Sequence, residues 1–302
     1  MKATTIFPTR TTSIKLFTTG ATLGPIVDSL HNQCLLQYDI APISLQWPEF
    51  MSQNIMEFSN PNALSSSILS SGETNYFFCS SWLIPPLLGF AYIVLGGILP
   101  RVIEIIVSNI LPDSFVIQTQ LGNKNENSKK ISSVNFQNSN FFKKRAIQAV
   151  LSTAFIIRLS ELLQTNSIEF SGITSSIPID SHGSINLTFM ILAALMQWII
   201  LDTSIISLIA ATVTAVGGPL SELPFIALGC WHYIPQASDY FPLDSFSQFV
   251  ASTTFSFVSV PHLALSGITG PCYFAVTMDA IALGRWFDSE NECDDVVDVV
   301  VD

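Results

Sequence analysis

Positive charge is what this chain has least of, and its scarcity is uneven. Only 12 of the 302 residues are Lys or Arg. None falls between Lys15 and Arg101, and Arg285 alone follows Arg158. Residues 39–75, 166–184 and 234–247 carry carboxylates without a single Lys or Arg. A chain so poor in cations has no basic face for nucleic acid. Charged residues of both signs reach 12%, against roughly 25% in a soluble domain, which excludes an ordinary soluble enzyme. The five cysteines (Cys34, Cys79, Cys230, Cys272, Cys293) show no CxxC or Cys/His spacing, so neither a zinc site, any other metal site nor a disulfide framework is expected. No GxSxG nucleophile motif occurs. No inverted repeat is visible, which ranks a transporter low. The first ten residues lack a signal-peptide core, and a cytosolic N-terminus is the expectation.

What is present points one way. Apolar residues make up 49% of the chain and mean hydropathy is +0.47. Loops without cations alternate with one basic loop holding Lys124, Lys129, Lys130, Lys143, Lys144 and Arg145. That is the positive-inside pattern of a polytopic membrane protein. The net charge of −11 is concentrated at one end: seven acids lie between Asp288 and Asp302, which leaves the remainder near −4. This tail reads as solvated and disordered.

Six segments are long enough to span a bilayer, which takes roughly 20 helical residues each. They cover residues 13–36, 77–99, 145–164, 185–201, 205–233 and 261–287. The fold class expected is therefore all-α, a bundle of six transmembrane helices over residues 13–287. A cytosolic N-terminus (1–12), a cytosolic loop (112–144) and an acidic cytosolic tail (288–302) complete it. Pro85-Pro86 predicts a kink or division in the second span, and residues 102–111 an interfacial helix. The 112–144 loop is polar without apolar period and is expected to be mobile. The fifth span, too long for a straight crossing, is expected to tilt or break near Gly217-Gly218-Pro219. Residues 247–260 are apolar enough to lie in the interface.

Ionisable groups inside spans are candidates for function. Asp28 and His31 are three apart and share a helix face. Glu222 and His232 both lie inside the fifth span, and Arg158 and Glu161 can pair at i,i+3. These groups fit either a polar catalytic cluster or an interhelical hydrogen-bond network. Asp202 precedes Thr203 and Ser204 at a tight turn and suits an N-cap for the fifth span. Glu57 and Glu73 read as solvated loop residues.

Several motifs in order resemble the INSIG (insulin-induced gene) proteins. Ser80-Ser81-Trp82-Leu83-Ile84-Pro85-Pro86 with Gly89, Gly96 and Pro100 resembles their second helix. Asn186-Leu187-Thr188 through Leu192-Ala193-Ala194, Trp198 and Asp202 resembles the fourth. Gly229-Cys230-Trp231-His232-Tyr233 resembles the end of the fifth, and Pro271-Cys272 with Gly284-Arg285 the sixth. The resemblance covers about residues 77–287. It implies a multi-pass regulator of the endoplasmic reticulum, both termini cytosolic, with no cofactor. Such a protein binds a sterol within its bundle and retains sterol-sensing-domain membrane proteins, of the SREBP cleavage-activating and HMG-CoA reductase type. Carried over by residue, Val150, Asn186 and Trp198 would line a lipid cavity and Asp202 would bind the partner. The chain departs from the family at Thr203-Ser204-Ile205, where basic residues follow the animal aspartate. It departs again at Glu222 and at the polar first span.

Two functions follow. The first is a lipid-binding regulator, not an enzyme. The alternative is a membrane-embedded enzyme acting on an isoprenoid or lipid through Asp28, His31 and Glu222.

Overall fold

Six helices carry the chain in the computed structural model, which describes residues 6–32, 36–46, 76–110, 131–164, 182–234, 237 and 265–301. They are α1 (Arg10–Asn32), α2 (Ile84–Ile110), α3 (Ile131–Gln164), α4 (His182–Leu201), α5 (Ile205–Ala227) and α6 (Thr269–Val301). Four short strands join them: β1 (Leu36–Tyr38), β2 (Pro42–Gln46), β3 (Tyr76–Ser81) and β4 (Trp231–Tyr233).

The bundle is built for lipid. Phe90, Leu151, Phe155, Ile200 and Val216 lie on its outside, each at least 64% exposed. Thr153, Ser160, Gln197, Thr214 and Asp279 lie inside. Apolar surface outward and polar groups inward is the arrangement a bilayer selects, since no water is there to serve exposed donors. Ile84–Ile110, Asn140–Leu163 and Ile205–Ala227 are each long and apolar enough to cross a membrane, and α4 adds the shorter apolar stretch Ile185–Leu201. α6 is less apolar because neighbours cover it: it packs on α1, α2, α3, α4 and α5. The chain is a multi-pass membrane protein.

Small residues set the closest approaches. A Cβ on Gly96 of α2 would come within 2.2 Å of the Ala280 carbonyl oxygen. One on Gly284 of α6 would meet the Gly96 carbonyl oxygen at 2.3 Å. Between helices in lipid, packing replaces the hydrophobic drive, so such contacts carry the association. Gly20 and Gly24 of α1 admit Leu88 of α2 in the same way.

Several elements differ from the sequence expectation. Pro85 and Pro86 occupy the first turn of α2 and start the helix instead of kinking it, because the first amides of a helix have no internal partner to lose. Its irregularity comes later, as a π-helical turn over Ile93–Ile98, and the helix then continues through Ile110 with no separate interfacial piece. Residues 131–144, read as mobile loop, belong to α3; 111–130 and 247–260 lie outside the described residues. α5 passes through both Pro219 and Pro224 without a break. Pro219 leaves the Ala215 carbonyl without its usual amide donor, and Gly270 of α6 closes over that oxygen, where a Cβ would sit at 2.8 Å. α5 ends at Ala227, short of the span expected to reach Tyr233. Gly229 at φ +69 lets Cys230 N–H return to the Phe225 carbonyl at 2.9 Å, a turn glycine adopts without strain.

After that turn β4 pairs antiparallel with β1, setting Tyr233 opposite Leu36 and Trp231 opposite Tyr38. β2 pairs with β3, setting Pro42 opposite Ser81. These two ribbons lie at the end of the bundle where α1 and α5 finish. α6 runs on to Val301, so the acidic segment is helical, and its first residues are docked. Asp288 accepts from Thr12 at 2.7 Å and pairs with Arg101 at 2.6 Å, while Lys15 meets Glu290 at 2.9 Å. Donors from α1 and α2 account for this order, meeting what the sequence shows only as an acidic run.

Candidate functional site

Two cavities lie at the same end of the bundle. The larger, about 600 Å³, is a half-open space between α4, α5 and the residues that lead into α6. Leu187, Ile191, Leu195, Val216, Leu220 and Phe274 make its walls apolar. Gly267, Gly270 and Pro271 keep the α6 side open. Ser266 lines it too, is 2% exposed, and its hydroxyl has no hydrogen-bond partner among the described residues. An apolar cavity of this size with a buried polar group in its wall is the usual form of a lipid or small-molecule site.

The second cavity, about 380 Å³, lies between α1, α2, α5 and α6 and is floored by the β1–β4 ribbon. Two carboxylates line it, Asp28 and Glu222. Tyr38 and Ser80 donate to Asp28 at 2.6 Å each. Glu222 is buried and accepts from Tyr233 at 2.6 Å and from Tyr273 at 2.8 Å. Each carboxylate therefore rests on neutral hydroxyl donors brought from other elements, the condition for keeping a polar group at membrane depth.

Asp28 and Glu222, far apart in the chain, thus share one cavity. One expected companion, His232, does not join them. His232 stands in β4, not in a membrane helix, and its Nδ1 meets Asp39 at 2.7 Å in a half-exposed pair. The pairing of Asp28 with His31 falls on a side chain outside those described, as do Glu57 and Glu73. Arg158 and Glu161 pair at i,i+3, with Glu161 buried and Arg158 on the exposed side.

The residues named for lipid contact lie apart. Val150 is half-buried and lines a third space of about 490 Å³, bounded by α1, α3 and α6 and including Thr19 and Phe287. Asn186 donates to the Leu163 carbonyl at 3.1 Å, tying the start of α4 to the end of α3. Trp198 donates to the Ser204 carbonyl at 3.0 Å and packs with Ala194, Leu201 and Ala211. Among the described residues, no cavity contains all three, although Leu187 and Ala194 on the same helix do line the larger one.

Asp202 sits in the α4–α5 turn, half-buried against α6. Arg285 pairs with it at 2.8 Å and the Ser204 hydroxyl donates to it at 2.7 Å. The N-cap of α5 is Ser204, which accepts from the Ser207 amide; Asp202 orients that cap instead of being it. Thr203 between them takes the left-handed conformation at φ 56. Arg145 donates to the Leu201 carbonyl on the same side. Burial raises the Asp202 carboxyl, but the Arg285 guanidinium and the Ser207 and Ser204 hydroxyls outweigh it and hold the group below its ordinary range.

Sequence reasoning missed four residues. Ser266 is one serine among many until the fold strips it of partners. Asp279 is 1% exposed and accepts from Tyr92 at 3.2 Å; a lone aspartate in an apolar run was the available signal. Tyr233 and Tyr273 show their role only once Glu222 is placed between them.

No family model matches the chain, and no curated protein matches it. Two solved structures are similar in arrangement. One is a mycobacterial Insig homolog, MvINS from Mycobacterium vanbaalenii, 15% identical over 93% of this chain and 96% of that one, with a TM-score of 0.49. The other is a cross-linked trimer of a cysteine variant of MvINS, with the same identity and coverage and a TM-score of 0.46. Likeness at that level transfers no residue role.

Proposed function

We propose that the chain is an INSIG-like regulator of the endoplasmic-reticulum membrane. It binds a sterol or related hydroxyl-bearing lipid between α4, α5 and α6 and retains sterol-sensing-domain membrane proteins through the face around Asp202. The observation that carries the lipid part is the apolar cavity of about 600 Å³ with the unmatched Ser266 hydroxyl in its wall. A rigid apolar body fills such a space by contact alone, and one hydroxyl on it supplies the missing partner of Ser266. A buried hydroxyl left unmatched costs free energy, so a ligand that matches it is selected over one that does not. The regulatory part is supported by the resemblance of the fourth-helix motif that ends in Asp202. We read the chain as a binding protein and not as a catalyst. Both carboxylates of the smaller cavity accept from hydroxyls at hydrogen-bond distance, which suits holding a ligand more than abstracting a proton.

Native mass spectrometry of the purified protein in mild detergent tests the lipid part. The expected result is a retained sterol whose occupancy falls about three- to tenfold on Ser266→Ala, the worth of one neutral hydrogen bond. Retention of no sterol by the unmodified protein, or indifference to Ser266→Ala, would overturn it. Co-purification tests the partner part: Asp202→Ala is expected to abolish capture of a sterol-sensing-domain protein while sterol occupancy stays. Unchanged capture would remove Asp202 from the interface.

A further inference from the structure

We infer that the groove between α1, α3 and α6 is a site for an anionic glycerophospholipid, with its phosphate at Lys15 and Lys143 and an acyl chain laid along the groove. The groove, about 490 Å³, has apolar walls made by Leu23, Ile147, Leu151, Leu283 and Phe287. Ile147 and Leu151 are 48% and 65% exposed, so it opens sideways to the bilayer, where lipid chains already stand. Its polar groups gather at one end. Lys15 lines the mouth with Thr18 and Thr19. Both threonines give their hydrogens to carbonyls of α1, Thr18 to Ile14 at 2.9 Å and Thr19 to Lys15 at 2.7 Å. Lys143 precedes the wall residues Ile147 and Val150 by four and seven positions, so it stands on their face of α3, one turn beyond the apolar part. Its ammonium lies over the ring of Trp286, 5.6 Å from the centroid, and Trp286 lines the groove. The groups with donor capacity left at this mouth are two ammoniums and an indole.

Three observations call for an anion there. First, Lys143 has no carboxylate within ion-pair distance among the described residues, whereas Lys15, Arg101 and Arg285 hold Glu290, Asp288 and Asp202. Second, no described carboxylate lines the groove, so Glu290, on Lys15 at 2.9 Å, stands against two ammoniums and leaves one positive charge over. Third, the indole N–H of Trp286 is buried and meets no acceptor among the described residues. A buried donor without an acceptor is rare and marks a place where an acceptor oxygen belongs. Depth identifies the acceptor. The stretch Asn140–Leu163 of α3 is long and apolar enough to cross a membrane, which puts Lys143 in its first turn, at the level of lipid phosphates. A cation at that level favours an anionic lipid over a neutral one. A lipid without net charge would fill the apolar wall and leave Lys143 unanswered. A phosphate free in water would answer Lys143 and make no use of the wall. An anionic phospholipid does both.

Gly270 of the sterol cavity and Trp286 of this groove lie about 24 Å apart along α6 at roughly 1.5 Å per residue, so the two sites are tested separately. The purified protein in mild detergent is offered dioleoyl phosphatidic acid, dioleoyl phosphatidylcholine, glycerol 3-phosphate and cholesterol in turn, and retained adducts are counted by native mass spectrometry. Phosphatidic acid is expected to be retained at least about tenfold better than phosphatidylcholine or glycerol 3-phosphate. Lys143→Gln is expected to lower its retention about fivefold. Lys144→Gln removes the same charge from a different face of α3 and is expected to leave retention unchanged. Glu290→Gln, which frees the Lys15 ammonium, is expected to raise it, a gain that a misfolded variant cannot give. Equal retention of the two phospholipids by the unmodified protein would overturn the proposal. Glycerol 3-phosphate held as well as phosphatidic acid would leave an anion site with no seat for a chain, and would overturn it too. Equal losses on Lys143→Gln and Lys144→Gln would mean a general attraction of the basic end and no site. Loss of cholesterol binding alone would strike the sterol reading and leave this one standing.

Discussion

The Tyr273 hydroxyl reaches Glu222 at 2.8 Å with its ring laid directly over Gly218, one turn earlier in α5, where a Cβ would come within 2.4 Å of the ring. The glycine makes room for the aromatic ring, and the ring delivers the donor that keeps the carboxylate satisfied at depth. Packing and electrostatics are here one arrangement, read from two residues a turn apart on α5 and a third on α6.

Gly218→Ala is therefore expected to act on Glu222 without touching it. The ring must move, the hydrogen bond lengthens, and stability falls by about 2 kcal/mol from overpacking and the lost bond. A double-mutant cycle with Tyr273→Phe checks the link. The cost of losing the hydroxyl should largely vanish in the Gly218→Ala background, and additive costs would refute the coupling.

The Asp202–Arg285 pair makes a pH prediction. The carboxyl lies below its ordinary range in the folded chain, so the unfolded chain binds its proton first as pH falls. The stabilisation is complete above the unfolded value, near about pH 4, and drains away as acidification passes down through the folded value. Thermal melts of the unmodified protein between about pH 6 and pH 3 should show this loss. Asp202→Asn should remove that component of the slope, at a cost of about 1–2 kcal/mol near neutrality. An unchanged slope in the variant would mean that other carboxylates carry it.

Thr203 holds a positive φ that a β-branched residue adopts at a cost. Its amide bonds the Trp198 carbonyl at 3.1 Å, the closing bond of a helix C-terminus that glycine normally supplies. Thr203→Gly is expected to stabilise the α4–α5 hairpin by about 1 kcal/mol, seen as a raised melting temperature. A lowered one would show that the threonine side chain has a role the backbone does not account for.

Gly284→Leu should separate α2 from α6, since even a Cβ there meets the Gly96 carbonyl oxygen at 2.3 Å. Two helices pressed together by small residues have no way to absorb a large side chain. The expected outcome is loss of a monodisperse folded species on size exclusion, and Gly284→Ala should retain part of it. A normal profile for the leucine variant would place the α2–α6 crossing elsewhere.

The spans were legible because lipid imposes a length and a composition on each of them. α4 and α5 with the short turn between them follow from an apolar run, an aspartate and another apolar run. Arg158 and Glu161 pair as their spacing requires. Strands β1 and β4 were not legible: Leu36–Tyr38 and Trp231–Tyr233 are three residues each, and nothing local distinguishes them from helix ends. Their pairing depends on Gly229 turning the chain after α5. Pro85 and Pro86 misled because proline gives the same signal whether it starts a helix or bends one. The acidic run after Phe287 reads as solvent-loving in isolation, and only Thr12, Lys15 and Arg101, drawn from two other helices, turn its first residues into a docked turn.

What this sequence determined alone is its medium and its segments: few cations, crowded apolar runs and turn residues between them specify helices that lie in a membrane. Which polar groups meet was decided by tertiary structure. Asp28 and Glu222 face one cavity, the Ser266 hydroxyl is left unmatched among the described residues, and Asp202 finds Arg285, because helix crossings set by single glycines bring distant positions to within a few ångströms. Periodicity constrains neighbours along one helix, whereas those meetings depend on the approach of several.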